Sequence, residues 1–93
     1  MKYSVHFTRQ FKRDVKLAMR RGLPVGELDT AIALLATGIP LPERYRDHAL
    51  SGDKAGWRDC HIRGDWVLLY RVDGERLLLT LLRTGTHSDL LDK

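Results

Sequence analysis

Three histidines of this chain stand in or beside polar stretches, His48 in YRDHALSG, His61 at the end of GWRDCHI and His87 in RTGTHSDLLDK, and Asp65, Trp66 and Arg83 accompany them. Imidazoles titrate near neutrality and so carry protons to and from oxygen, while a guanidinium is a permanently charged, planar donor that suits a phosphate. With a carboxylate added, the set fits phosphodiester chemistry. RNA brings its own nucleophile, the 2′-hydroxyl: one group takes its proton, another protonates the departing 5′-oxygen, and the arginine stabilises the crowded phosphorane. Such a reaction needs no metal. No H-x-x-x-H or Cys-His spacing is present either, so no metal and no other cofactor is expected.

For these residues to act together, the fold must gather them. The opening YSVHF alternates apolar and polar residues like a strand, and Thr8 is placed to cap a helix over RQFKRDVKLAMRR. Phe11, Val15 and Ala18 form its inward stripe, and Gly22 ends it. A second helix, PVGELDTAIALLAT, buries Leu28, Ile32 and Leu35 and stops at Gly38. IPLPERYRDHALSGDKAG reads as an irregular connection. Three strand-like runs follow, GWRDCHI, DWVLLYRV and RLLLTLL, joined at Arg63-Gly64 and Asp73-Gly74, both hairpin signals.

The sequence therefore predicts an α+β domain: a small antiparallel sheet of about four strands with two N-terminal helices on one face. Two-residue turns would set Ile62 opposite Asp65, Trp66 opposite Leu81 and Asp65 opposite Leu82. Arg83 would then emerge beside the turn that carries Gly64 and Asp65. His61, Asp65, Trp66 and Arg83 would collect at one end of the sheet, and the tail through Gly85 would fold His87 back over it. The runs VLLY and LLLTLL are apolar at successive positions, which predicts cover on both faces although the helices supply only one.

Ninety-three residues allow one domain, 1–93, and its 43% apolar and 30% charged residues are a globular composition. No run approaches the roughly 18 apolar residues of a membrane helix. MKYSVHFTRQ lacks a signal peptide's hydrophobic block, and the lone Cys60 has no internal partner, so a cytoplasmic protein without membrane contact is expected. Cys60 is read as a buried small residue with no chemistry. The net charge of +4 is compatible with a polyanionic partner. Arg9, Arg13, Lys16 and Arg20, spaced four, three and four, line one side of the first helix as a basic stripe that is either solvated surface or a contact for RNA phosphates.

YRDHALSG, GWRDCHI, DWVLLYRV and LRTGTHSDLL together resemble the YafQ group of the RelE/ParE toxin superfamily, bacterial toxins of type II toxin-antitoxin systems that cut messenger RNA in the ribosome and are silenced by an antitoxin. The likeness runs over nearly the whole chain. It implies a compact sheet with two helices on one side, an endoribonuclease activity, and as partners a cognate antitoxin, mRNA and ribosomal RNA, the last offering an occupant for the basic stripe. It places the functional positions at His48, His61, Asp65, Trp66, Arg83 and His87. Two residues depart from the family's pattern: Gly64 stands where proline precedes Asp-Trp, and Leu91 where an aromatic residue ends the motif.

On this reading His87 is the general acid, Asp65 with His48 or His61 the proton-accepting side, Arg83 the phosphate clamp and Trp66 a packing or stacking platform. Two other classes stay open: a non-catalytic, ParE-like inhibitor of DNA gyrase, and an RNA-binding module that never cuts. The histidines argue against the first, because occlusion needs no group that titrates near neutral pH.

Overall fold

Thr8 joins the first strand to the first helix. A strand, β1 (Ser4–Phe7), leads into it, and its backbone is still extended while its Oγ1 accepts from the Phe11 N–H at 3.0 Å, capping the helix α1 (Arg9–Arg20). The same hydroxyl donates to the Leu81 carbonyl at 3.0 Å, fastening the helix start to a strand more than seventy residues later. Gly22, at φ +77°, lets the chain leave α1, and α2 (Val25–Thr37) ends at Gly38 in the left-handed conformation. These helix boundaries agree with the sequence reading. The computed structural model describes residues 1–90.

Two short 3-10 turns, Glu43–Tyr45 and Gly52–Lys54, flank β2 (His48–Ala49), and β3 (Arg58–Arg63), β4 (Trp66–Asp73), β5 (Leu78–Thr86) and a single turn of helix, α3 (His87–Leu90), complete the described chain. The strands form one five-stranded sheet in the order β1-β5-β4-β3-β2. The expected antiparallel sheet of about four strands needs two corrections. The stretch read as a pure connection contributes β2, and β1 pairs with β5 in parallel, so the sheet is mixed. β5 thus lies between two neighbours; its Leu79 and Leu81 enter the helix-packed core, while Leu78 and Leu82 stay only partly buried.

The register also differs. At the first hairpin the two-residue turn is Gly64-Asp65, with Arg63 opposite Trp66 and a bulge at Ile62, so Ile62 does not face Asp65. At the second, Asp73 pairs with Leu78 and the loop has four residues, because the Asp73 carboxylate accepts from the Glu75 and Arg76 N–H groups and holds a wider turn than Asp-Gly alone suggests. Leu77 closes that loop at φ +53°. The wider loop and a further bulge at Leu82 bring Thr86, not Leu81, opposite Trp66. Arg83 pairs with Leu69 in mid-sheet, and it is His87 that arrives at the Gly64-Asp65 turn.

Phe11, Ala18, Leu28, Ala31 and Leu35 from the helices pack on Cys60, Leu68, Tyr70, Leu79 and Leu81 from the sheet. Val15 and Ile32 sit at the margin of this core. Asp14, in the same helical stripe, is buried too. Its carboxylate accepts from Arg83 Nε at 2.7 Å, from Arg83 Nη2 at 3.2 Å and from the Thr84 N–H at 3.1 Å. Removing it would leave a buried N–H without a partner and a half-exposed guanidinium without its anchor. Asp14→Ala should therefore destabilise the chain by roughly 2–4 kcal/mol, read as a lower urea midpoint at unchanged slope, whereas Arg9→Ala on the solvated side of the helix should stay within about 0.5 kcal/mol.

Candidate active site

Residues directly opposite each other in an antiparallel pair share a face of the sheet. His48 pairs with Asp59 and Asp59 with Leu69, while His61 pairs with Val67; Cys60 and Leu68 point the other way, into the helix-packed core. The face turned away from the helices thus carries two histidines and an aspartate over Val67 and Leu69, both fully buried. α3 adds His87. Gly85 permits this approach, since a Cβ there would lie 3.3 Å from Leu90 Cδ2 and 3.4 Å from Asp89. Asp89 holds the turn down by bonding Arg21 at 3.1 Å and the Thr86 N–H at 3.2 Å.

Asp59 is the centre of the cluster, and it is only 1% exposed. Its Oδ2 lies 3.3 Å from His87 Nε2 and 3.9 Å from His48 Nε2, and its Oδ1 has no hydrogen-bond partner among the described residues. The sequence reading passed over it. Period two along WRDCHIR already set Asp59 on the same face as His61, and that was the signal to use.

The two flanking histidines are held differently. His48 Nδ1 lies 2.8 Å from the Arg46 carbonyl oxygen, which only accepts, so Nδ1 carries a hydrogen and Nε2 is the nitrogen left to face Asp59. His87 has carboxylates on both nitrogens, Asp65 at 2.9 Å on Nδ1 and Asp59 on Nε2, and both bonds form only if both nitrogens are protonated. Its pKa is accordingly raised above 6.5, chiefly by the bond to Asp65, with burial acting the other way and Asp59 adding to the rise. His61 lies against His87 with ring centroids 5.0 Å apart.

Behind His48, Asp47 accepts from Tyr70 Oη and from Arg58 Nε, which fixes the residue that precedes the histidine. Burial and the Asp47 bond push the Tyr70 hydroxyl pKa upward, and burial does the same to the Cys60 thiol, so neither ionises near neutrality. Cys60 has the inert role expected of it.

His48, His61, Asp65 and His87 therefore come together, as the sequence suggested. Two other residues do not take the expected places. The Arg83 guanidinium is bonded to Asp14 of α1, a bond that also raises its pKa, and Nη1 is left as its uncommitted edge. Trp66 is 3% exposed and packed in the core, so it offers no open ring face for stacking. Arg9, Arg13, Lys16 and Arg20 are all exposed. Leu91 lies outside the described residues. Asp59, His61 and His87 also bring three metal-capable ligand atoms within 4.8 Å of one another, from two separate elements that local spacing rules do not see.

A family model for the "bacterial toxin of type II toxin-antitoxin system, YafQ" matches residues 3–92. The chain belongs to the YafQ toxin family. It is 39% identical over 87 residues, 92% of each chain, to the mRNA interferase toxin YafQ of Escherichia coli K12. Among solved structures it is similar to YafQ in the E. coli DinJ-YafQ complex, with TM-score 0.87, 38% identity and coverage of 96% and 98% of the two chains. It is equally similar to a metal-bound toxin from Helicobacter pylori, with TM-score 0.89, 31% identity and coverage of 96% and 99%.

The Asp65 bond yields a prediction with a definite sign. Because the folded-state pKa of His87 lies above its unfolded value, this histidine contributes stability that is fully present below about pH 6.5 and is lost as pH rises through the raised value. Asp65→Asn removes the largest cause of the rise. In a histidine-ring NMR titration in chelating buffer, the variant's His87 should titrate at lower pH than in the parent chain, and the loss of stability with rising pH should shrink; an unmoved midpoint would show that Asp59 alone sets it.

Proposed function

We propose that this toxin-family chain is an endoribonuclease, an mRNA interferase, that cuts messenger RNA by attack of the 2′-hydroxyl on the adjacent phosphorus. The observation that carries the proposal is the pairing of two differently held imidazoles across Asp59: His48, whose Nδ1 is tied to a backbone carbonyl so that Nε2 faces the aspartate, and His87, with a carboxylate on each nitrogen. His48 Nε2 accepts the 2′-hydroxyl proton. The new 2′-O–P bond forms a cyclic phosphate, the P–O5′ bond breaks, and His87 delivers its Nε2 proton to the departing 5′-oxygen. Because Asp65 bonds His87 Nδ1, it supports the acid rather than the proton-accepting side first considered for it. His61 flanks the acid, and Nη1 of Arg83 is the edge from which a non-bridging phosphate oxygen can be held.

The likeness to YafQ from the DinJ-YafQ complex supports a cognate antitoxin as the protein partner. Ribosomal RNA is the proposed partner of Arg9, Arg13, Lys16 and Arg20, whose exposed charges can meet backbone phosphates without reading sequence. Cleavage is then confined to messages held by the ribosome. A cytoplasmic site of action is consistent with this, and no helix among the described residues is long and apolar enough to cross a membrane.

Adding the purified chain to translating ribosomes should produce message fragments ending in a 2′,3′-cyclic phosphate or its 3′-phosphate product, and free message should stay intact. His87→Ala should lower the cleavage rate by about 100-fold or more, the scale of a lost general acid; the variant should melt at a lower temperature, having lost the partner of Asp59, yet keep the folded circular dichroism spectrum at the assay temperature. Altered DNA supercoiling with uncut message would support gyrase inhibition instead. Replacing Arg13 and Lys16 with Gln should flatten the dependence of log ribosome affinity on log salt by about 1.5, since each phosphate contact contributes roughly 0.7–0.9 to that slope; an unchanged slope would return the stripe to ordinary solvated surface.

A further inference from the structure

Asp59 combines two properties that acid–base chemistry alone does not need. It is buried to 1% exposure, and its Oδ1 has no donor among the described residues. A buried carboxylate oxygen left without a donor is costly unless a cation or a proton can reach it. Two imidazoles stand beside it: His61 and His87, with Asp59, present ligand atoms that all lie within 4.8 Å of one another. The 3.3 Å between His87 Nε2 and Asp59 Oδ2 already matches the ligand–ligand edge, roughly 3.3 Å, of a tetrahedron with 2.0–2.1 Å metal–ligand bonds.

The surroundings are also those of a metal-binding histidine. Asp65 on His87 Nδ1 fixes the ring so that Nε2 is the ligand nitrogen, the carboxylate–histidine–metal arrangement that orients ligands in metalloproteins. His48, anchored through Nδ1 on the Arg46 carbonyl, lies outside this trio, with Nε2 3.9 Å from Asp59. Two imidazoles with one carboxylate select zinc, copper or nickel over magnesium, which prefers oxygen ligands and keeps its water. We propose that Asp59, His61 and His87 form a site for a divalent transition-metal ion, and that filling it switches the nuclease off. The ion would occupy the Nε2 of His87 that otherwise holds the proton for the leaving group. The second half of the proposal rests on the function proposed above; the first half does not.

The test uses the full chain stripped of metal by a chelator, with Zn²⁺ as the probe. Calorimetric titration should show saturable binding of one ion per chain. His61→Ala and Asp65→Asn should each weaken it at least about 10-fold, the lower end of what losing such support costs, while His6→Ala, in β1, leaves it unchanged. Asp65 is largely exposed, so its variant keeps the test valid even if His61→Ala unfolds. Absence of one-to-one binding, or binding indifferent to Asp65→Asn, overturns the site. In the second arm, Zn²⁺ at saturating concentration should suppress message cleavage on ribosomes at constant Mg²⁺. Undiminished cleavage by zinc-loaded chain overturns the off-switch, and no cleavage by the metal-free chain sinks the nuclease reading while the calorimetric site stands.

Discussion

A carboxylate almost wholly removed from water, with histidines on both sides, is the constraint on which the rest of this structure depends. In a low-dielectric setting a lone anion is expensive, and Asp59 is tolerable only because positive charge or protons are held beside it. His87 meets that need directly and draws its second carboxylate, Asp65, from a different part of the chain. The demand for compensation therefore ties the C-terminal turn to both ends of the β3–β4 hairpin. It also sets His48 and His87 apart: one is pinned through Nδ1 by a backbone carbonyl, the other is clasped by two acids that raise its pKa.

Placing those groups is the work of the sheet. Cross-strand pairing sets His48, Asp59 and Leu69 in one row and His61 with Val67 in the next, so the cluster stands beside two fully buried apolar side chains on the same face. On the opposite face the helices are fastened by two polar links rather than by packing alone, the Thr8 hydroxyl on the β5 carbonyls and the Asp14 carboxylate on Arg83 and Thr84. Asp14 connects the two sides, because Arg83 shares its strand with the residues that lead into His87. A change in α1 can reach the guanidinium of Arg83 through that single ion pair.

Local signals made much of this legible. Thr8, Gly22 and Gly38 each needed only a capping side chain or a positive φ, and the helices start and stop where those residues say. What sequence could not supply was register. A loop widened by Asp73 and bulges at Ile62 and Leu82 are choices made by the assembled sheet, and they moved Arg83 from the rim to the middle and put His87 where Arg83 was expected. Asp59 and Asp14 were overlooked for a related reason: a charged residue in an apolar stripe looks like noise until its partner, eleven or more residues away, is known. Trp66 shows the reverse, an aromatic that chemistry could use and packing claimed.

The departure at Gly64 has a physical meaning that the residue's identity alone did not reveal. Its φ of +54° is closed to proline, whose ring fixes φ near −65°. A chain with proline at this position must turn differently between β3 and β4, and Asp65, the next residue, would leave that turn at another angle. Here the left-handed glycine allows a two-residue connection, and it sets Asp65 within 2.9 Å of His87. Gly64 is therefore a determinant of the proton affinity of His87, acting through the backbone. Its replacement by proline would alter the site even though Gly64 itself touches none of the reacting groups.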